Sequence, residues 1–322
     1  MTLIDLSTDS YKEIPQSTFP RSTVLALGNF DGVHVGHHAL LKKTIELADE
    51  FSSCNAPVFP GVWLFRDPPT DFLRNPPPPH LSSLAEKLSL FRERGIRFAF
   101  LGDFQELGSY SPEEFAVQVL QQTCHCTHAV CGFNYSFGYK GAGTPELLKE
   151  YFRGAVSEIP SVEVNGSPVS STRIRSLLTE GNVREATLLL GRPFSLTSPV
   201  LHGKALGRTI SFPTINQEFS PRSVIPKHGI YAVTVHFPWE DSTSVRYGIA
   251  NVGLRPTVET SDRVNCETFI LDFHGDLYGK EIEIRFVERL RDERKMSGID
   301  ELRETIRNDE LSARRLFGLA IP

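Results

Sequence analysis

The stretch Thr23-Val24-Leu25-Ala26-Leu27-Gly28-Asn29-Phe30-Asp31-Gly32-Val33-His34-Val35-Gly36-His37 decides the fold of the first half of this chain. The apolar run 23–27 reads as a buried strand, and the amphipathic run from about residue 38 to 51 reads as a helix. Between them Gly28 and Gly32 let the backbone turn tightly, and Gly36 lets a phosphate approach the helix start. Unpaired N–H groups and the helix dipole favour anions there. His34 and His37, three residues apart, can point the same way. Transfer of a nucleotidyl group needs no covalent intermediate. It needs donors aimed where charge builds on the α-phosphate and the departing pyrophosphate, a task that two imidazoles and a helix end suit.

Outward from this stretch, the runs 58–64, 97–101 and 128–132 predict further strands. Helices are predicted over 86–93 and from Ser111-Pro112-Glu113-Glu114, a capping box with proline at the first helical position, to about residue 122. Strand alternating with helix implies a parallel sheet covered on both faces, with ligands at the carboxyl ends of its strands. Four prolines at 76–79 form an extended surface loop. Two short helices, 172–180 and 183–190, end at Gly181 and Gly191. Beyond Arg192 the pattern changes to strands at 231–237, 247–252, 267–273 and 281–287. Alternation is strict in Glu281-Ile282-Glu283-Ile284-Arg285-Phe286, so an antiparallel barrel or sandwich follows, closed by a helix over 300–316. The expected division is two domains, 1–187 and 188–322.

Composition narrows the function classes. At 322 residues, two domains can each bury a core. With 34 Lys+Arg against 39 Asp+Glu, the net charge of −5 gives no electrostatic footprint for nucleic acid or an anionic membrane. No apolar run approaches the roughly 20 residues of a membrane span, and residues 1–10 lack the features of a signal peptide. The expected compartment is the cytoplasm. Five cysteines at 54, 124, 126, 131 and 266 read as free thiols. Cys124-His125-Cys126, followed by His128 and Cys131, lacks the spacing of common zinc knuckles, and buried thiols at a helix-to-strand junction are the simpler reading. The sequence is silent on oligomeric state.

Two more segments carry phosphate chemistry. In Ser170-Ser171-Thr172-Arg173-Ile174-Arg175, hydroxyls and amides at a helix start can hold a phosphate while an arginine neutralises it. Ser171 or Thr172 alone would read as an N-cap. In His202-Gly203-Lys204-Ala205-Leu206-Gly207-Arg208, backbone N–H groups can cradle phosphates. In Phe212-Pro213-Thr214-Ile215-Asn216, the Thr214 hydroxyl and the Asn216 carbonyl can supply oxygen ligands to Mg²⁺. Neither a Walker A signature nor a G-x-G-x-x-G fingerprint occurs, which disfavours hydride transfer.

These motifs, with CGFNYSFGYKGAGT at 131–144, GIYAV at 229–233, GIANVGLRPT at 248–257, CETFILDF at 266–273 and GDLYGKEIEIRFVERLRDERK at 275–295, resemble the bacterial bifunctional riboflavin kinase/FMN adenylyltransferase family, also called FAD synthetase. The resemblance implies a Rossmann-like α/β nucleotidyltransferase domain followed by an antiparallel β-barrel kinase domain with a C-terminal helix. It implies ATP as co-substrate, Mg²⁺, and riboflavin, FMN and FAD as substrates and products. Carried over, His34 and His37 act on ATP phosphates, and Gly28, Phe30, Asp31, Gly36, Asn134, Ser171, Thr172 and Arg175 bind the nucleotide. In the kinase half, Gly203, Lys204, Gly207, Arg208, Thr214, Asn216 and Arg291 bind ATP or flavin, Arg291 from a mobile segment, and Thr214 and Asn216 also hold Mg²⁺. Glu267 is the general base.

Two departures stand out. Pro68 takes the place of the histidine in the family's Pro-His-Pro, and Arg66, close by, is expected to substitute in part for the lost donor. Ile215 replaces an alanine. Two alternatives therefore accompany the main reading: a riboflavin kinase with an impaired adenylyltransferase, and a non-catalytic flavin- or nucleotide-binding module.

Overall fold

The structure, a computed structural model, describes residues 1–7, 18–53, 56–202, 212–241, 244–254 and 264–321. The chain divides into two compact units, Met1–Ser171 and Thr172–Pro322.

The first unit is built on six strands, β1 (Thr2–Asp5), β2 (Thr23–Leu27), β3 (Phe59–Phe65), β4 (Phe98–Gly102), β5 (Cys126–Gly132) and β6 (Ala155–Ile159). All pairs are parallel and the order is β1-β4-β3-β2-β5-β6. Along β2, Val24 and Ala26 enter one apolar cluster, with Leu41, Val62, Leu64 and Phe91, while Leu25 and Leu27 enter another, with Trp63, Phe100 and Phe115. Both faces are covered, which is why this strand is uniformly apolar rather than alternating. β2 pairs with β3 on one side and β5 on the other, so the direction of winding reverses between β2 and β5. A crevice for ligands opens at the carboxyl ends of strands at such a point.

The helices of this unit are α1 (Val35–Phe51), α2 (Thr70–Leu73), α3 (Leu84–Glu93), α4 (Phe104–Leu107), α5 (Pro112–Glu114) and α6 (Pro145–Tyr151). The capping box forms as read: Ser111 Oγ accepts from the Glu114 N–H at 3.2 Å, and the Glu114 carboxylate accepts from the Ser111 N–H at 2.7 Å. The helix then continues as a π-helical run, Phe115–Thr123, in place of the expected α-helical turns.

Cys124, Cys126 and Cys131 are buried and unpaired. Burial pushes the Cys126 thiol up to about 12 and Cys131 to about 11, so both stay protonated and pack as small apolar groups. Cys54 lies outside the described residues.

A small hairpin, β7 (Glu163–Val164) with β8 (Ser167–Pro168), precedes α7 (Ser171–Glu180) and α8 (Val183–Leu190). In the second unit, β9 (Phe194–Pro199), β10 (Thr214–Glu218), β11 (Gly229–His236), β12 (Arg246–Leu254), β13 (Val264–Ile270) and β14 (Glu281–Arg291) form an antiparallel sheet in the order β10-β13-β12-β11-β14-β9. The two end strands meet through a few bonds rather than a full ladder. The Leu201 N–H donates to the Asn216 carbonyl at 2.7 Å, and Ser198 Oγ donates to the Glu218 carbonyl at 2.7 Å. Gln217, fully buried, sends its Nε2 to the carbonyls of Ser198 at 2.6 Å and Ile282 at 2.9 Å. The sheet is thereby curled into a barrel, as the family resemblance implies.

The closing helix, α9 (Ile299–Phe317), lays Ala313 and Phe317 against Ile230, Ala232, Ile249 and Phe269. α8 packs on β14 and β9, so by packing the two short helices count with the second unit, and the compact division falls ahead of residues 187 and 188. Among the described residues, no helix is long and apolar enough to cross a membrane.

Replacing Gln217 with leucine would leave two buried carbonyls without their donor, at about 1–3 kcal/mol for each unsatisfied group. Urea unfolding of Gln217→Leu is expected to show a loss of at least about 1 kcal/mol, and no loss would mean that the barrel closes without this side chain.

Candidate active sites

In the first unit the loop after β2 is held in a conformation that its own residues disfavour. Phe30 (φ 50°) and Val33 (φ 41°) are left-handed without being glycine, and the branched Cβ of Val33 makes that conformation costly. Both side chains are fully buried, Phe30 edge-on to Phe91 at 5.2 Å, so core packing over-determines the turn. The loop is also clamped from the segment that follows β3. The Leu81 N–H donates to Asp31 Oδ1 and the Gly32 N–H to Ser82 Oγ, both at 2.9 Å, while Lys87 Nζ donates to the Asn29 carbonyl at 3.1 Å. Ser171, the last residue of the first unit and the first of α7, donates from Oγ to the Asp31 carbonyl at 2.9 Å, which ties the end of this unit to the loop.

At the start of α1 the two histidines cap one another. The His37 N–H donates to His34 Nδ1 at 3.4 Å, and the His34 N–H donates to His37 Nδ1 at 3.3 Å. Their rings stack at 3.7 Å between centroids, 13° from parallel. With each Nδ1 accepting from the main chain, the proton of each neutral ring belongs on Nε2. A Cβ on Gly36 would stand 3.1 Å from His34 Nδ1 and Cε1, so glycine is what lets the ring lie there. Asn134 follows β5, the strand beside β2, in a turn in which the Tyr135 N–H donates to the Gly132 carbonyl. It therefore leaves the same end of the sheet as the histidine loop. Thr172 and Arg175 continue along α7 in the second unit.

In the second unit, directly opposed residues of β10, β13 and β12 share one face of the sheet in three rungs: Thr214–Phe269–Ile249, Asn216–Glu267–Asn251 and Glu218–Asn265–Gly253. The first rung lies under α9 through Phe269 and Ile249. The second joins Asn216 to Glu267, and with Thr214 one residue pair away it gathers hydroxyl, carboxamide and carboxylate oxygens. Such hard donors fit Mg²⁺. Thr214 also lines a cavity of about 380 Å³ with Ile215, Phe273, His274 and Tyr278. A larger cavity, about 560 Å³ beside Lys227, His228 and Asp292, contains none of the predicted site residues. Gly203, Lys204, Gly207 and Arg208 lie outside the described residues. Arg291 ends β14 instead of riding on a mobile segment. Its guanidinium holds Asp309 of α9 in two bonds of 2.8 and 2.7 Å.

Comparison with known proteins follows the same two halves. A family model described as FAD synthetase matches residues 16–173, and one described as Riboflavin kinase matches residues 190–317. Bifunctional riboflavin kinase/FMN adenylyltransferases from Listeria monocytogenes and Escherichia coli K12 are 33% and 36% identical, covering 97% and 93% of this chain and 96% and 94% of their own lengths. The chain belongs to the bifunctional riboflavin kinase/FMN adenylyltransferase family. A crystal structure of a Streptococcus pneumoniae protein described as a macrolide-efflux protein superposes with a TM-score of 0.83 at 31% identity, covering 97% of this chain and 99% of that one.

Within this family frame the departure at Pro68 gains a context. Arg66, expected to stand in for the lost histidine, is committed elsewhere. It pairs with Asp5 at the end of β1 and donates from Nε to Ser7 Oγ at 2.7 Å, so it secures the edge strand. The clamps from Leu81, Ser82 and Lys87 carry no sequence signal, because each bond has a main-chain atom at one end, which no residue type announces. His80, next to Leu81, is bonded through Nε2 to Asp71 of α2 at 2.8 Å.

Burial of the His37 ring, with His34, Lys87 and His38 near it, holds this imidazole well below the usual 6.5. The folded state therefore takes up this proton less readily than the unfolded chain. The stability tied to the neutral ring is complete above pH 6.5 and is lost as pH falls below it. Urea midpoints measured from about pH 7 to 5 are expected to fall less steeply in His37→Gln than in the parent, and equal slopes would contradict this.

Proposed function

We propose that the second unit phosphorylates riboflavin with ATP, giving FMN and ADP, and that the first unit transfers the adenylyl group of a second ATP to FMN, giving FAD and pyrophosphate. The observation that carries the adenylyl step is the reciprocal His34–His37 cap at the switch point of the parallel sheet. A phosphate oxygen of FMN attacks the α-phosphorus of ATP, the bond to pyrophosphate breaks, and two Nε2–H donors at a helix start offset the charge that develops. Asn134, Ser171, Thr172 and Arg175 are assigned to ATP binding in this step, with Gly28, Phe30, Asp31 and Gly36 shaping the loop. The functional boundary is placed between residues 187 and 188, beyond the 170–175 segment.

In the kinase step Glu267 takes the proton of the terminal ribityl hydroxyl as its oxygen attacks the γ-phosphorus and ADP departs. Thr214 and Asn216 would hold Mg²⁺, which would neutralise phosphate charge. Gly203, Lys204, Gly207 and Arg208 are assigned to the nucleotide or flavin. The double bond from Arg291 to Asp309 supports a role for this arginine in anchoring α9 beside the site, in addition to the binding role the family resemblance implies. The unpaired, buried thiols at 124, 126, 131 and 266 favour a reducing compartment, the cytoplasm.

One specific observation favours a second reading, a kinase with a slowed adenylyltransferase. Pro68 removes a phosphate donor, and Arg66, tied to β1, does not replace it. Loss of one preorganised donor costs about 2.7–4 kcal/mol, or roughly 10²–10³-fold in rate.

Incubation with riboflavin, ATP and Mg²⁺ separates the readings: FMN and FAD together support the first, and FMN alone supports the second. His37→Ala is expected to slow FAD formation at least about 100-fold while sparing FMN formation. Glu267→Gln is expected to slow FMN formation by roughly 10²–10⁴-fold while supplied FMN is still adenylylated. Loss of both activities in either folded variant would overturn the division of labour. Arg66→Ala is expected to leave the rate of FAD formation within about twofold of the parent, as a surface tether should.

A further inference from the structure

The polar face of β10, β13 and β12 holds two carboxamides to which the family resemblance gave no role. Asn265 lies two residues before Glu267 on β13 and is buried. Its Nδ2 donates to Glu267 Oε1 at 3.2 Å. Asn251, on β12, is the register partner of Glu267. Neither the Asn265 Oδ1 nor the Asn251 Oδ1 has a hydrogen-bond partner among the described residues, although both atoms are shut off from solvent. A buried acceptor left in that state costs about 1–3 kcal/mol, and native proteins keep few of them without a use.

We propose that Asn265 and Asn251 form an amide pair that aims the Glu267 carboxylate and receives the hydroxyl-bearing chain of the flavin substrate. The proposal rests on the assignment of Glu267 as the base. One carboxylate oxygen, Oε1, is occupied by the Asn265 amide, which fixes the orientation of the group and turns Oε2 to the attacking hydroxyl. The two orphaned carbonyl oxygens are acceptors only, so they call for a ligand rich in O–H donors. A polyol supplies these without adding charge to a face that already carries a carboxylate. Neighbouring strands stand about 4.7–4.9 Å apart, so Asn251 on β12 sits one strand spacing from Glu267 on β13. Successive hydroxyls of a single chain can span that distance. Asn265 is thus a positioning residue for the base, and Asn251 a binding residue for the polyol.

The test uses the full chain and two flavins, riboflavin and lumiflavin, which has the ring system without the polyol. By fluorescence titration, Asn251→Ala is expected to weaken riboflavin binding about 3- to 10-fold, the loss of one neutral hydrogen bond, and to leave lumiflavin binding unchanged. Asn265→Ala is expected to lower the kcat of FMN formation about tenfold or more in the parent, and to add nothing in a Glu267→Gln background, where there is no base left to aim. Adenylylation of supplied FMN serves as the check on folding.

Equal weakening of both flavins by Asn251→Ala would overturn the proposal. So would an Asn265→Ala loss that persists undiminished beside Glu267→Gln. A raised Mg²⁺ requirement with unchanged riboflavin binding would give the amides to the metal and also overturn it. If Glu267→Gln alone leaves FMN formation intact, the base assignment fails, and the riboflavin-against-lumiflavin comparison still decides whether Asn251 reads the polyol.

Discussion

The first amides of a helix need acceptors, and at the start of α1 the acceptors are imidazoles. That exchange between His34 and His37 makes a structural necessity and a chemical tool out of the same atoms. A serine–glutamate box, as at Ser111 and Glu114, satisfies the same amides but places a carboxylate at the helix end. The histidine version keeps the end neutral or positive, which is what an approaching triphosphate requires. The strained loop before it is the other half of the arrangement. Phe30 and Val33 accept unfavourable backbone angles because their side chains are locked in the core, and the loop is thereby held fixed ahead of the helix start.

The two units meet the same problem, a place for phosphate, with different sheets. In the parallel sheet the proposed site lies where winding reverses, and it is made by loops. In the barrel the proposed site lies on the flat of three paired strands, where register sets which side chains are neighbours. Thr214, Asn216 and Glu267 come together from segments about 50 residues apart because β10 pairs with β13 in one register only. A slip of one residue between these strands would put Thr214 and Asn216 on the face opposite Glu267.

How much of this was legible in the sequence follows from the same physics. The central strands and α1 could be read because burial on both faces leaves uninterrupted apolar runs, and because Gly181 and Gly191 mark helix ends. β1 and β6 could not, being short edge strands with mixed exposure, and α6 is only two turns long. β9 and β10 are polar on one side and bonded across the barrel closure, so neither shows a clean alternation. At the sites, the histidine pair, Ser171, Thr214 and Asn216 were visible as residue types in a pattern, whereas Glu267 came only with the family resemblance. Arg66 was placed by nearness in the chain to Pro68, yet its partners, Asp5 and Ser7, lie on β1 far back in the sequence. Asn251 and Asn265 carry no signal in the sequence that marks them as site residues. Only their register beside Glu267 does so.

The barrel's last junction differs in kind from its other strand pairs. Where β9 meets β10 the bonds are few and depend on the amide of Gln217, so this seam is where the sheet parts with the least loss of ladder. β10 stays laddered to β13 on its other side. Breathing at the seam would therefore carry Thr214, Asn216 and Glu267 as a single piece, and the barrel mouth could widen for a bulky ring system without taking the proposed oxygen ligands out of step with the proposed base.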